Sequence, residues 1–469
     1  MKKTIFYALC CIGINFAQPQ TLQAQGAVFG EQKIIVQSEA DGARSVYAAD
    51  LDNDGDTDVL SASVDDDKIA WYENDGSGNF GAQQLIANTN IWGASSVYAA
   101  DLDNDGDLDI LSASAYDDKI AWYENDGGGN FGAQQTVTTI ANYASDVYAA
   151  DLDNDGDMDI LSASENDDKI AWYENDGTGN FGAQQIVSTE TDSPQSVYAA
   201  DLDNDGDMDI LSASEYDDKI AWYENDGNGL FSQAYLISLD ADGAWSVYAA
   251  DLDNDGDMDV LSASYSDNKI TWYENNGNSV FITHLAISAN ADGARSVYAA
   301  DINNDGHIDV LSASSYDNKV AWYENDGSGN FGVQRIISTN VSAVWSVYAA
   351  DLDNDGDMDV LSASQDDDKI AWYENLLSVD INGPTPPDTT PIFTLNPNPT
   401  QDQITLQFAQ TAPKAYRLTL FDMAGCCLWQ QQIGTTSYTL DMRDKAKGIY
   451  LLQVATQSSI LTTKIIKQP

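Results

Sequence analysis

The stretch Asp151–Ser164, DLDNDGDMDILSAS, carries five aspartates within nine residues and then runs straight into apolar strand sequence. Carboxylates this close repel one another: at ~4 Å and an effective dielectric of ~20, each pair costs about 4 kcal/mol. Asp and Asn favour turns unaided, which accounts for one or two acids per turn. Five at fixed spacing call for a counter-charge. The same element begins at Asp50, Asp101, Asp151, Asp201, Asp251, Asp301 and Asp351, a period of 51 residues once and 50 thereafter. Self-similarity at this length indicates a solenoid or a propeller.

Each copy divides into four strand-like pieces, in the third copy DVYAADL, DILSAS, KIAWYEN and FGAQQIVS. Small residues crowd the first piece, as suits a central axis, and aromatics sit on the third, where a widening blade has more space. Four antiparallel strands per repeat describe a propeller blade. The seventh copy stops after IAWYEN, before its fourth strand, while the chain near its start reads AVFGEQKIIVQS, in the pattern of GNFGAQQIVSTE at 179–190. The N-terminal strand is therefore expected to complete the last blade and hide two sheet edges. The expected fold class is all-β: a seven-bladed propeller over residues 25–375, followed by a small β-sandwich. The seven tryptophans of the AWYEN type, such as Trp71 and Trp172, are expected in the core between blades.

Each acidic loop has the form D-x-D-x-D-G-x-x-D. The carboxylates are Asp50, Asp52, Asp54 and Asp58 in the first copy, then Asp101, Asp103, Asp105 and Asp109 in the second. They continue as Asp151, Asp153, Asp155 and Asp159, then Asp201, Asp203, Asp205 and Asp209. The fifth copy has Asp251, Asp253, Asp255 and Asp259, and the seventh Asp351, Asp353, Asp355 and Asp359. The sixth departs: Asp301, Asp305 and Asp309 remain, but Asn303 replaces the second acid and His307 stands at position 7. Oxygen ligands at positions 1, 3, 5 and 9, with a glycine that permits a sharp turn at position 6, resemble the first half of an EF-hand loop. Calcium is the expected cofactor, about one ion per blade, weakest in the sixth. Magnesium suits the pattern less, because it demands a tighter octahedral shell.

These loops, with the FGAQQ and KIAWYENDG strands, resemble FG-GAP/VCBS-type repeats, the units of integrin α-subunit propellers and of some fungal lectins. The resemblance implies a calcium-stabilised propeller and leaves the ligand open, since a fold does not assign a function.

The ends of the chain address it outward. Lys2 and Lys3 precede the apolar run IFYALCCIGINF, and Leu22-Gln23-Ala24 precedes Gln25, so residues 1–24 read as a signal peptide. Lipid attachment at Cys10 or Cys11 is the rival reading. The run is too short to span a bilayer, which needs roughly 20 residues. Beyond the signal only the adjacent Cys426 and Cys427 remain, and neighbouring cysteines seldom bridge. Stability outside the cell must come from something other than disulfides.

Residues 376–391, with NGPTPPDTTP, form a Pro/Thr-rich tether. The segment 392–469 then holds seven Lys/Arg against four Asp/Glu, whereas the whole chain carries −56. Its alternating runs QITLQFA, YRLTLFD and GIYLLQVAT fit a β-sandwich. With LNPNPT, LFDMAG, KGIYLLQV and the terminal KIIKQ, it resembles the type A sorting domain of the type IX (Por) secretion system. That resemblance implies the secretion machinery as a partner, and an extracellular or outer-membrane-surface location.

A surface this acidic excludes nucleic acid and anionic membrane as partners, and a monomer is expected. In a blade meander the acidic loops share one face with the DG-x-G turns, and the 2-to-3 hairpins share the other. Copy-to-copy variation collects on that second face: the residue before the first strand is Arg44, Ser95, Ser145, Gln195, Trp245, Arg295 or Trp345. Trp245, Trp345, Tyr216 and Tyr316 are candidate platforms for a glycan or a surface or matrix protein. Catalysis is not expected: no nucleophile–base set emerges, His284 and His307 are the only imidazoles, and Glu165 and Glu215 fall at equivalent hairpin positions. A surface module without a specific ligand is the alternative.

Overall fold

The computed structural model describes residues 27–377, except 278–279 and 285, and strand segments of a C-terminal unit between 393 and 467. The expected signal segment and nearly all of the tether lie outside the described residues. The chain divides into two compact units, 1–379 and 380–469.

In the first unit the described residues form seven four-stranded antiparallel sheets. Six are sequential meanders; the third blade, for instance, uses Ala144–Ala150, Asp159–Ser164, Lys169–Tyr173 and Gln185–Ser188. The seventh takes its outer strand from the start of the chain: Lys33–Gln37 pairs antiparallel with Lys369–Tyr373. Phe29 then bridges Asn375 as Phe181 bridges Asn175 within the third blade. The ring closes as the sequence predicts. The outer strands are shorter than the FGAQQIVS pattern suggests, because Phe181 contributes one isolated bridge and regular pairing resumes only at Gln185.

Burial follows from stacking one sheet on the next. Every residue of Asp159–Ser164 is buried, since both of its faces meet neighbouring blades. Trp172 is 3 % exposed and meets Phe231 of the fourth blade edge-on at 6.2 Å. The same Trp ring lies against Gly229, where φ is +69° and a Cβ would sit 2.4 Å from the indole. The DG-x-G turn therefore needs glycine twice over, for its left-handed backbone and for this close approach. Trp71 meets Phe131 likewise, so the AWYEN tryptophans are inter-blade core.

A second tie crosses every blade boundary. The Asn that ends AWYEN donates its side-chain amide to a backbone carbonyl in the preceding blade's acidic loop: Asn125 to Leu51 at 2.8 Å, Asn225 to Leu152 at 2.7 Å. Asn74 reaches Leu352 at 2.7 Å, which carries the pattern across the closure. At the axis, Tyr47, Tyr98, Tyr148, Tyr198, Tyr248, Tyr298 and Tyr348 pack in an unbroken ring with centroids 4.6–5.0 Å apart.

The second unit contains a three-stranded sheet (Phe393–Asn396, Gln403–Phe408, Ser437–Asp441) and a four-stranded one (Cys427–Ile433, Tyr416–Phe421, Gly448–Ala455, Ile460–Lys467). Ile404, Leu406 and Leu440 from the first share a buried core with Leu418, Leu452 and Ile465 from the second, a sandwich arrangement.

Candidate functional site: acidic loops and axial mouth

Each acidic loop is shaped by its own backbone. Gly55 takes φ +95° and Asn53 takes φ +60°, a left-handed value that Asn tolerates. The Gly55 N–H then donates to Asp50 at 3.0 Å, and the Asp56 N–H to Asp54 at 2.9 Å. The acid at position 9 is the hub: Asp58 is fully buried and accepts from Leu51 N at 3.0 Å and Asn74 N at 2.8 Å. Burial pushes Asp58 up to about 7, although both backbone N–H groups pull the other way. Its equivalents Asp109, Asp159, Asp209, Asp259, Asp309 and Asp359 also stand at about 7 for the same reason.

The loops bring the predicted ligands together. One carboxylate oxygen each from Asp50, Asp52 and Asp58 lie within 4.8 Å of one another, as do those of Asp101, Asp103, Asp109; Asp151, Asp153, Asp159; and Asp201, Asp203, Asp209. In the fifth loop Asp251 and Asp253 converge with Asp255 instead. Position 5 of the first four loops lies at the exposed edge of the turn. Buried carboxylate oxygens without any hydrogen-bond donor point the same way: Asp50, Asp101 and Asp351 at position 1, and Asp153, Asp253 and Asp353 at position 3. Unused acceptors crowded by like charge fit a hard divalent cation and fit little else. In the sixth loop Asn303 is buried, its carbonyl taken by the Asp305 N–H and its amide left without a partner.

Two roles went unread in the sequence. The Asn at position 4 donates to the position-7 residue of the next blade: Asn53 to Asp107 at 2.7 Å, Asn154 to Asp207 at 2.6 Å, and Asn254 to His307 at 3.1 Å. The seventh loop is the exception. Asn304 of the sixth loop reaches it only at Gly356 O, 3.4 Å away, and Asp357 is buried with neither carboxylate oxygen bonded. Burial first, then Asp355, Asp359, Asp353 and Asp351, push Asp357 up to about 8.

The opposite face is built differently. In all seven blades the ladder between the first and second strands slips by one residue, at Ala144/Asp146 in the third and Ala244/Ser246 in the fifth. The extra residue is the variable one. It lies inside the strand as a β-bulge, not before it, and a bulge re-aims its side chain out of the pleat. All seven bulge residues converge on one cavity of about 350 Å³ at the mouth of the central axis.

Within that mouth, the Arg295 guanidinium lies 3.7 Å from the Trp345 ring centre, 4.1 Å from Trp245 and 4.4 Å from Tyr265. Arg44 lies 4.3 Å from Trp345. Desolvation brings Arg295 down to about 10. Gln195 donates to Glu215 at 3.3 Å, and Glu165 joins them on the cavity wall, both glutamates raised by burial. Of the predicted platforms, Trp245 and Trp345 meet edge-on at 5.5 Å. Tyr216 is 66 % exposed at the rim, and Tyr316, 64 % exposed, contacts Tyr265.

The FG-GAP-like repeat family matches residues 50–112, 110–162, 151–212, 201–262, 252–312 and 301–362, and every acidic loop falls inside at least one of these spans. The secretion system C-terminal sorting domain family matches residues 394–468. No curated protein matches the sequence. Among solved structures, the chain is similar to an Agrocybe aegerita lectin described as recognising non-reducing terminal N-acetylglucosamine, with 21% identity, 64% of this chain and 81% of that one covered, and a TM-score of 0.49. It is also similar to PorZ, a surface component of the type-IX secretion system of Porphyromonas gingivalis, with 13% identity, 88% of this chain covered, and a TM-score of 0.43. The chain spans 58% of PorZ. Among the described residues no helix is long and apolar enough to cross a membrane. The chain belongs to the FG-GAP-like repeat family, closed here into seven blades, and ends in a secretion system sorting domain that directs it to the cell surface or the extracellular space.

Proposed function

We propose that the exported chain is a calcium-held binding module whose ligand, a glycan or a surface or matrix protein, docks on the face opposite the acidic loops. Calcium, when bound, supplies positive charge to the carboxylates at positions 1, 3, 5 and 9 and lets each loop close. The loop residues do the rest: Asp58 and its equivalents hold the loop start to the end of the third strand, and Asn53 and most of its equivalents couple one loop to the next.

One observation carries the choice of face. The repeats are near-copies, yet the seven bulge residues that meet at the axis include two arginines, two tryptophans and a glutamine. A purely structural ring has no need of that asymmetry. Glu165 and Glu215 share the mouth with Gln195 and act as hydrogen-bond acceptors, not as a catalytic pair. The test is to screen the calcium-loaded chain on glycan and matrix-protein arrays beside a variant with Trp245, Trp345, Tyr216 and Tyr316 all changed to alanine. Saturable binding that the variant loses supports the reading; no ligand, or unchanged binding by the variant, refutes it. Incubation with polysaccharides should release no new reducing ends.

A further inference from the structure

The geometry points to a carboxylate-bearing sugar as the ligand of the axial mouth, its carboxylate held by Arg44 and Arg295 and its hydroxyls donated to Glu165 and Glu215. This rests on the reading of that face as the binding face, and narrows it to a chemical class.

The arginines are the reason. The chain has 76 acids against 20 basic residues, so a cation without a carboxylate partner is the exception. In every blade the Lys that opens the third strand is paired with an Asp two residues before it, as Lys169 is with Asp167 at 2.6 Å. Arg44 and Arg295 form no ion pair among the described residues. Arg295 Nε donates to Ser315 at 3.1 Å, while its Nη1 and the Nε of Arg44 are buried with no acceptor. The aromatic rings hold the two guanidiniums in place through their faces without neutralising them. Two fixed forks with donors to spare match a carboxylate.

The acids of the same mouth argue against a bare anion, since Glu165 is near enough to feel the charge of Arg44, and Glu215 that of Arg295, without forming an ion pair. Glu165 and Glu215 bring negative charge and acceptors, so the ligand must also carry donors. A sugar ring with a carboxylate and several hydroxyls satisfies both the arginines and the glutamates, and the volume of about 350 Å³ accommodates one such unit. Trp245 and Trp345 become positioning residues, because the arginines already cover their faces.

The experiment is titration of the calcium-loaded full chain with sodium glucuronate, glucose, alanine and inorganic phosphate, read by calorimetry and tryptophan fluorescence. Glucuronate is expected to bind at least about tenfold more tightly than glucose, and R44Q and R295Q each to weaken it about tenfold or more. Fluorescence should report it, since Trp345 touches both arginines. Tighter binding of phosphate or alanine than of glucuronate, or equal binding of glucose, overturns the assignment. So does undiminished glucuronate binding by R44Q, which leaves Arg295 intact and serves as the decisive variant should R295Q not fold. A neutral glycan found on the array whose binding survives both variants removes the acidic-sugar assignment and leaves the binding face standing; the absence of any array ligand removes both.

Discussion

The two faces of the wheel treat the same sevenfold repeat in opposite ways. On the loop face, position 9 and its two backbone bonds recur in all seven blades with nearly constant distances, 2.9–3.2 Å to the loop start and 2.7–2.8 Å to the third strand. On the axial mouth, one bulge residue per blade is left free of the ladder, and there the copies diverge. Residues committed to the ladder, the inter-blade core or an acidic nest are held alike by stability. A residue outside the ladder can vary without loosening the wheel, and in a closed ring seven such residues meet. The repeat thus separates what holds the fold from what gives it an individual surface.

That contrast can be broken at several strengths. The largest effect is expected from chelation. An ion bound only to the folded state adds about 2.7 kcal/mol when present at ~100 times its Kd, and the loops multiply that term. EDTA should therefore lower the melting temperature by tens of degrees, followed by circular dichroism; an unchanged transition would break the loop-face account. Next, Trp172→Ala removes an indole packed on Gly229 and Phe231 and should cost about 3–5 kcal/mol in denaturant melts. Ser145→Ala, at the bulge of the same blade, should cost about 1 kcal/mol or less, since it loses one bond to Pro194 O at 2.7 Å. Comparable losses for the two would erase the distinction between faces.

A pH-dependent effect sits where the mouth itself departs from symmetry. Asp146 occupies a place held by serine in the other blades, and it accepts from Ser96, Val147 N and Val197 N. Burial raises it to about 6 from the usual 3.8. A carboxyl that holds its proton more tightly when folded contributes stability below pH 3.8, and that contribution is lost as pH rises through about 6. Asp146→Ser restores the serine pattern, in which Ser45 accepts from Val97 N. The variant should melt a few degrees higher than the parent at pH 7.5 and show no such gain at pH 4; a constant offset at both would contradict the burial argument.

Much of this was legible in the sequence because it is periodic. The period and four pieces per copy give the blades, and the missing last strand, matched by AVFGEQKIIVQS, gives the closure later seen as Lys33–Gln37 on Lys369–Tyr373. The acidic ligands were legible from their spacing and Gly55. The bulge was not, because one extra residue in a strand has no signature in composition. Arg44 therefore reads as a residue ahead of the strand until the ladder shows it within. Nor could the clamp be read: Arg44 and Trp345 are 301 positions apart and meet only because the ring closes. The coupling Asn residues were hidden by their ordinary role as turn formers, since the partner of Asn53 is Asp107, one blade away.

Whether the acidic loops hold calcium is decided by equilibrium dialysis of the metal-stripped chain against calcium. About seven ions per chain are expected, one per loop, with the loop containing Asn303 and His307 filling last. A chain that retains no calcium at millimolar concentration, while still folded, would contradict that expectation.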